Sequence, residues 1–268
     1  MRSDIGSSAV YRARVSQDLR RVPVLQHCLV LVRQGAKELV DGLGAVARVA
    51  VGDTVLLHAG GHPTIGNRPD PAAGHYAALV LAFGARSLTA FRQLYPTLAA
   101  APPLPSRAWS LRPGDTALAA AIGHACDGLE DAALSDRVAL HRCVEVLAVL
   151  AERGLVLPDG DDPGAAAAVQ GLVAARPHLP WSAADVARAL NISEATLRRR
   201  LAAEGTCFRD LAADVRLGYG LHLLQTTRQP IIEVAAACGY DSPSRFAARF
   251  RARFGMSPSE LQGKAKSA

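Results

Sequence analysis

The spacing of apolar residues divides this chain into a β-type first part and a helical remainder. Over residues 22–83 they come in short runs, VLQHCLVLVRQG, AVARVAVGD, TVLLHAG and HYAALVLAF, punctuated by glycines such as Gly35, Gly52, Gly60 and Gly74. Brief runs rich in valine and leucine, closed by glycine turns, predict an antiparallel barrel or sandwich. Val51-Gly52-Asp53 and Asn67-Arg68-Pro69-Asp70 are the turn signals within it. Residues 1–20 carry no such run and read as a mobile start.

Beyond Leu88 the period becomes helical. The spacing predicts a short helix over 88–95, a proline-rich stretch over 101–106, and two longer helices over 115–132 and 135–154. The second long helix places Val138, His141, Val144, Leu147, Leu150 and Ala151 on one stripe, which packs either against a core or against a partner helix. Val138, His141, Val144, Leu147 and Leu150 are therefore the candidates for a homodimer contact. The segment DGDDPG at 159–164 is the best linker, and an alanine-rich helix over 165–176 opens the domain beyond it. The expected fold class is α+β, with an antiparallel β-barrel and helices in residues 1–158 and an all-α domain in residues 165–268.

That second domain contains an internal repeat. Residues 182–204 and 231–254 each read as a short apolar helix, a tight turn and a helix crowded with arginine. In the first copy Ser182 and Asp185 form a capping box, Val186, Ala187 and Leu190 face inward, and Asn191-Ile192-Ser193 makes the turn. Leu197 and Leu201 anchor the next helix, and at least two of Arg198, Arg199 and Arg200 must point outward. In the second copy Glu233-Val234-Ala235 repeats Asp185-Val186-Ala187, Gly239 ends the first helix, and Ser242 with Pro243 opens the second. Phe246 and Phe250 take the places of Leu197 and Leu201. Between the copies, residues 207–227 read as one helix, and Ser257-Pro258-Ser259-Glu260 caps a last short one. Helix-turn-helix units present their second helix to the DNA major groove, and successive major-groove faces lie about 34 Å apart.

Charge supports a polyanion partner. Of 30 Lys+Arg and 24 Asp+Glu in the 268 residues, 13 and 8 fall within 181–268, so almost all of the net charge of +6 sits on the repeat region. Cys28, Cys126, Cys143, Cys207 and Cys238 are scattered and odd in number, with no Cys-x-x-Cys pair, as expected of reduced thiols in a cytoplasm. The N-terminus lacks the apolar region of a secretory signal, and no run is long enough for a membrane span. A cytoplasmic protein with no membrane partner is the expectation.

The residues WSAADVARALNISEATLRRRLAAEGTCFRDLAADVRLGYGLHLL and IIEVAAACGYDSPSRFAARFRARFGMSPSEL resemble the DNA-binding domain of the AraC/XylS transcriptional regulators. The resemblance covers about residues 165–263, including both turns, the linking helix with Arg216, and the closing FGMSPSE. It implies a regulator, most often an activator, that binds double-stranded promoter DNA and contacts RNA polymerase. Carried over by position, Ala195, Arg198 and Arg199 in the first copy and Ser244, Arg245 and Ala248 in the second become base-reading candidates. Arg200, Arg216, Arg249 and Arg251 become phosphate candidates. Bidentate arginine to guanine and alanine to a thymine methyl are the pairings available, while phosphate contacts position without specifying. The chain departs from the family in two places. Gly218 and Gly220 fall in the linking helix, where each costs up to about 1 kcal/mol against alanine, and they predict a less rigid link. Ala247 and Ala248 stand where larger polar side chains are common, so the first copy is expected to carry most base discrimination.

The first domain resembles, less specifically, the cupin-like sensing domain of such regulators. It implies an effector, either a small molecule of apolar character or a protein partner, and a contribution to dimer formation. No effector-binding residues can be assigned. His58, His62 and His75 fall in this region, but the His-x-His pair with a downstream Glu used by metal-binding cupins is absent. No metal or cofactor is expected. The alternative reading is a metal-dependent cupin enzyme with the basic domain as a DNA tether; the leading one is not an enzyme.

Overall fold

The computed structural model describes residues 4–41, 44–101, 109–157 and 164–263. Residues 102–106 of the proline-rich stretch and 159–163 of the expected linker lie outside the described residues. The chain divides into two compact units. One comprises Met1–Asp18 and Gln26–Gly160, the other Leu19–Leu25 and Asp161–Ala268.

The first unit begins with strands β1 (Gly6–Ala13), β2 (Gln17–Leu19), β3 (Cys28–Gln34), β4 (Ala36–Val40), β5 (Val46–Val49), β6 (Thr54–Leu57), β7 (Thr64–Arg68) and β8 (Tyr76–Phe83). Helices α1 (Ala85–Leu94) and α2 (Pro96–Ala99), strand β9 (Trp109–Arg112), and helices α3 (Thr116–Glu130) and α4 (Asp136–Glu152) come next. The strands form a five-stranded sheet, β1-β8-β3-β6-β9, and a four-stranded sheet, β2-β7-β4-β5. Antiparallel sheets are what short glycine-punctuated runs produce, and they form two layers here.

Cross-strand register assigns the faces of the larger sheet. Leu29 pairs with Leu81 and Leu56, and Val30 with Val80 and Val55. The leucine face carries Leu29, Leu31, Leu56 and Leu81 into one core with Leu118, Ile122, Cys143 and Leu150 of α3 and α4. The other face is turned away from those helices. Val30, Val32 and Val55 on it are sealed from solvent, and Lys37 of the smaller sheet lies over the Tyr76 ring on it. Asp115 caps α3 through Leu118 N and also holds Arg153, at the end of α4, with two hydrogen bonds.

Two expectations need correction. Residues 5–13 are not part of a mobile start: all eight residues of β1 pair with β8, and Ile5 is fully buried, its carbonyl accepting from Gly84 N and Ser87 Oγ. Its half-buried small side chains hide the strand period. Asn67 and Arg68 are not a turn but the end of β7; the turn comes after them, where Asp70 Oδ1 accepts from Ala72 N and Ala73 N.

The stripe on α4 is divided. Val144, Leu147 and Leu150 are buried in the core of their own unit, while Val138 and His141 are exposed.

The second unit is helical: α5 (Ala165–Ala175), α6 (Ala183–Ala189), α7 (Glu194–Ala203), α8 (Phe208–Thr226), α9 (Ile231–Ala237), α10 (Pro243–Phe254) and α11 (Pro258–Leu261). Its first core gathers Val169 and Val173 of α5, Val186 and Ala187 of α6, Leu197 and Leu201 of α7, and Leu211 and Val215 of α8. Glu204 caps α5 from a distance, its two carboxylate oxygens accepting from Ala165 N and Ala166 N at 2.7 and 3.0 Å. The segment Leu19–Leu25 belongs to this unit: Arg20 N donates to Phe254 O at 2.9 Å, and Leu25 packs on the first core.

Candidate nucleic-acid interface

Each helix-turn-helix is set by caps at the expected residues. Ser182 Oγ accepts from Asp185 N, and the Asp185 carboxylate accepts from Ser182 N, closing the capping box of α6. The turn passes through Asn191 at φ +53°, the left-handed region that asparagine tolerates best after glycine. Ser193 then caps α7 through Thr196 N. In the second copy Gly239 supplies the left-handed residue at φ +76°, and Ser242 caps α10 through Arg245 N, with Pro243 at the first helical position. The last capping box, Ser257 with Glu260, starts α11.

Burial divides each second helix into two faces. On α7 Leu197 and Leu201 are buried, while Ala195, Arg198, Arg199 and Arg200 are exposed. On α10 Phe246, Phe250 and Phe254 are fully buried, and Ser244, Arg245, Ala248, Arg249 and Arg251 are exposed. Among the described residues, the six exposed arginines of the two helices make no ion pair or side-chain hydrogen bond within the unit. Free guanidinium groups on the outward face of a second helix are what a groove-reading surface requires.

Arg216 differs from the other phosphate candidates. Its Nε donates to Pro177 O at 3.1 Å and its terminal nitrogen to Leu179 O at 2.7 Å. The side chain ties α8 to the loop between α5 and α6, so an internal bracket replaces the expected outward contact. Arg253 is a second bracket, unmarked in the sequence. Its guanidinium grips Asp214 of α8 in bidentate fashion at 2.7 and 2.9 Å, with both side chains largely buried. The signal for it was an arginine in register with Phe246 and Phe250 near the end of the helix.

The linking helix carries both glycines without a break. It runs unbroken over Phe208–Thr226. A Cβ on Gly220 would lie 2.9 Å from the Phe246 ring and 3.1 Å from Cys238 Sγ. The absent side chain lets the second helix-turn-helix sit directly on the backbone of α8, so this glycine trades helix propensity for close packing.

The histidines of the first unit do not converge. His58 Nε2 is 3.1 Å from Ser110 Oγ, with His27 edge-on to its ring, whereas His62 is exposed and His75 Nδ1 meets Ala73 O. Among the described residues no three His, Cys, Asp or Glu side chains form a metal-ligating group, and no helix is long and apolar enough to cross a membrane.

The chain thus comprises a β-sheet unit and an all-α unit with two helix-turn-helix motifs, each with an outward second helix. Residues 186–264 match the model of a helix-turn-helix domain family. Over 95 residues the chain is 35% identical to the urease operon transcriptional activator of Escherichia coli, covering 35% of this chain and 32% of that protein. Over 78 residues it is 41% identical to the transcriptional regulator SirC of Salmonella typhimurium, covering 29% and 26%. The chain thus spans about a third or less of the length of the curated relatives it matches. These relatives are transcription regulators, not enzymes. The whole fold is similar to that of ToxT from Vibrio cholerae, solved with an unsaturated fatty acid bound, at a TM-score of 0.70 and 16% identity over 98% of this chain and 97% of that one.

Proposed function

We propose that this protein is a sequence-specific transcription regulator, an activator, that sets α7 and α10 into successive major grooves of a promoter and is gated by an effector at its first unit. The observation that carries this reading is the pair of outward helix faces whose six exposed arginines make no ion pair or side-chain hydrogen bond among the described residues of the unit. Ala195, Arg198 and Arg199 on α7, with Ser244, Arg245 and Ala248 on α10, read bases. Arg200, Arg249 and Arg251 hold phosphates. Arg216 and Arg253 hold the frame. Contact with RNA polymerase and a homodimer through Val138 and His141 belong to the same reading, as does action in the cytoplasm, where the promoter is. The fatty acid bound by the similarly folded ToxT favours an apolar acid as effector over a protein partner.

The test is selection of bound sequences from a random duplex pool, followed by titration of the selected site and a scrambled one at two salt concentrations. The selected site should bind at least a thousandfold more tightly. Replacing Arg200, Arg249 or Arg251 by alanine should lower the slope of log K against log salt by about 0.9 each. Equal affinity for the scrambled duplex overturns the reading.

A further inference from the structure

One segment of the helical unit comes from the far end of the chain. The chain leaves the first unit after Asp18 and returns to it at Gln26, and Leu19–Leu25 between them belongs to the second unit. The segment lies well outside residues 186–264, the stretch that matches the helix-turn-helix family. Beyond Leu19 it forms no helix or strand, yet Leu19 is 1% and Val24 6% exposed.

Three contacts carry the segment from one helix-turn-helix copy to the other. The Arg20 N–H donates at 2.9 Å to the carbonyl of Phe254, the last residue of α10. The Arg20 side chain lies along Gly255, 3.2 Å from where a Cβ would stand. Next, Pro23 Cγ meets the linking helix α8, 3.4 Å from the Cβ position of Gly218. Gly218 is one turn beyond Asp214, the residue that Arg253 grips. Last, Leu25 packs on the core that holds Val186 of α6, Leu197 of α7 and Leu211 of α8. The segment thus begins at the end of the second reading helix and finishes on the core beneath the first.

Its backbone is stiff. Pro23 has a fixed φ and confines Val22 to extended conformations. Arg21 is held at φ +47°, a left-handed state that a residue other than glycine keeps only where its surroundings impose it. A stiff span fastened to both copies lies beside α8 and constrains the same distance that α8 sets.

We infer that Leu19–Leu25 is a positioning strap, which fixes the spacing at which α7 and α10 meet successive grooves. The inference rests on the reading of the second unit as a two-groove DNA reader. Arg20, Pro23 and Leu25 act through the helices they hold and touch no base.

The full-length protein is titrated on its selected duplex and on duplexes with one base pair added or removed between the segments read by α7 and α10. Each change moves the second groove face by about 3.4 Å and about a tenth of a turn. The wild type should bind the altered duplexes about tenfold more weakly, since the displaced helix forfeits its base contacts. Pro23→Gly and Leu25→Ser, which loosen the strap at its middle and at its first-copy end, should cut that ratio to about threefold. Base preference within each segment should stay as it is. A segment that merely lent stability would weaken every duplex alike and leave the ratio unchanged. An unchanged ratio in the variants, or a wild type indifferent to spacing, overturns the inference. Should Leu25→Ser not fold, Gly218→Leu, which raises a side chain against Pro23 from α8, takes its place.

Hydrogen exchange of the protein without DNA keeps the two readings apart. The Arg20 amide should be protected in the wild type and lose that protection in Pro23→Gly. Protection in a protein that selects no DNA site would defeat the regulator reading and leave the span between the copies standing. An Arg20 amide that exchanges as fast as in a free chain overturns the strap.

Discussion

The two helix-turn-helix units repeat one outline with different materials. In the first, α7 is held by the aliphatic pair Leu197 and Leu201, and all three consecutive arginines, Arg198 to Arg200, stay outside. In the second, α10 is held by three aromatic rings, with centroids of Phe246 and Phe250 5.5 Å apart and those of Phe250 and Phe254 4.7 Å apart. One of its arginines, Arg253, turns inward to grip Asp214. The difference separates two tasks that one motif can share. The first copy gives its guanidinium groups to the surface; the second gives part of its helix to holding the frame.

Attacking the aromatic stack should have the largest effect. Phe250→Ala removes the middle ring of a fully buried row and should cost about 3–5 kcal/mol, seen as an earlier denaturant midpoint with loss of DNA binding. A cost below about 1 kcal/mol would mean that the stack does not anchor the second copy. Next comes the reading face. Arg198→Ala with Arg199→Ala should each remove about 1–3 kcal/mol of discrimination between bases while leaving the fold intact, and should broaden a selected sequence more than Arg245→Ala with Ala248→Gly. If the α10 pair relaxes selection more, the division of labour is reversed. The smallest effects separate the two glycines of α8. Gly220→Ala drives a methyl into the Phe246 ring and should destabilise by about 1–3 kcal/mol despite its better helix propensity. Gly218→Ala meets only Pro23 Cγ, at 3.4 Å, and should be neutral or gain up to about 1 kcal/mol. Equal thermal shifts for the two would show that propensity, not packing, governs the link.

Much of the helical unit was legible because its information is local. Caps at Ser182, Ser193, Ser242 and Ser257 act within one turn of helix, and the pairs Leu197–Leu201 and Phe246–Phe250 obey the four-residue spacing of one face. The outward placement of Ala195, Arg198, Arg199, Ser244, Arg245 and Ala248 comes from the same period. Lys37 left a faint trace: in AKELV, alternation puts it on the face of Leu39, an inward charge in an apolar strand. Strand β1 left almost none, since its pairing partner β8 lies some seventy residues further along the chain.

The sequence by itself determined the repeat, its turns, its caps and the charge of its exposed faces, because helix period and capping act over four or five residues. Tertiary structure alone decided which cations are surface and which are frame. Arg216 and Arg253 are chemically no different from Arg200 and Arg249. They become brackets because carbonyls near Pro177 and the carboxylate of Asp214 are brought to them by folding. Gly220 became a packing site because Phe246 arrives there from another helix. Lys37 became a buried cation, hydrogen-bonded to Asn67 and over the Tyr76 ring, because folding brings the second sheet to it. In each case the partner is distant in the chain, so the residue's role is set by contacts that its local pattern does not encode.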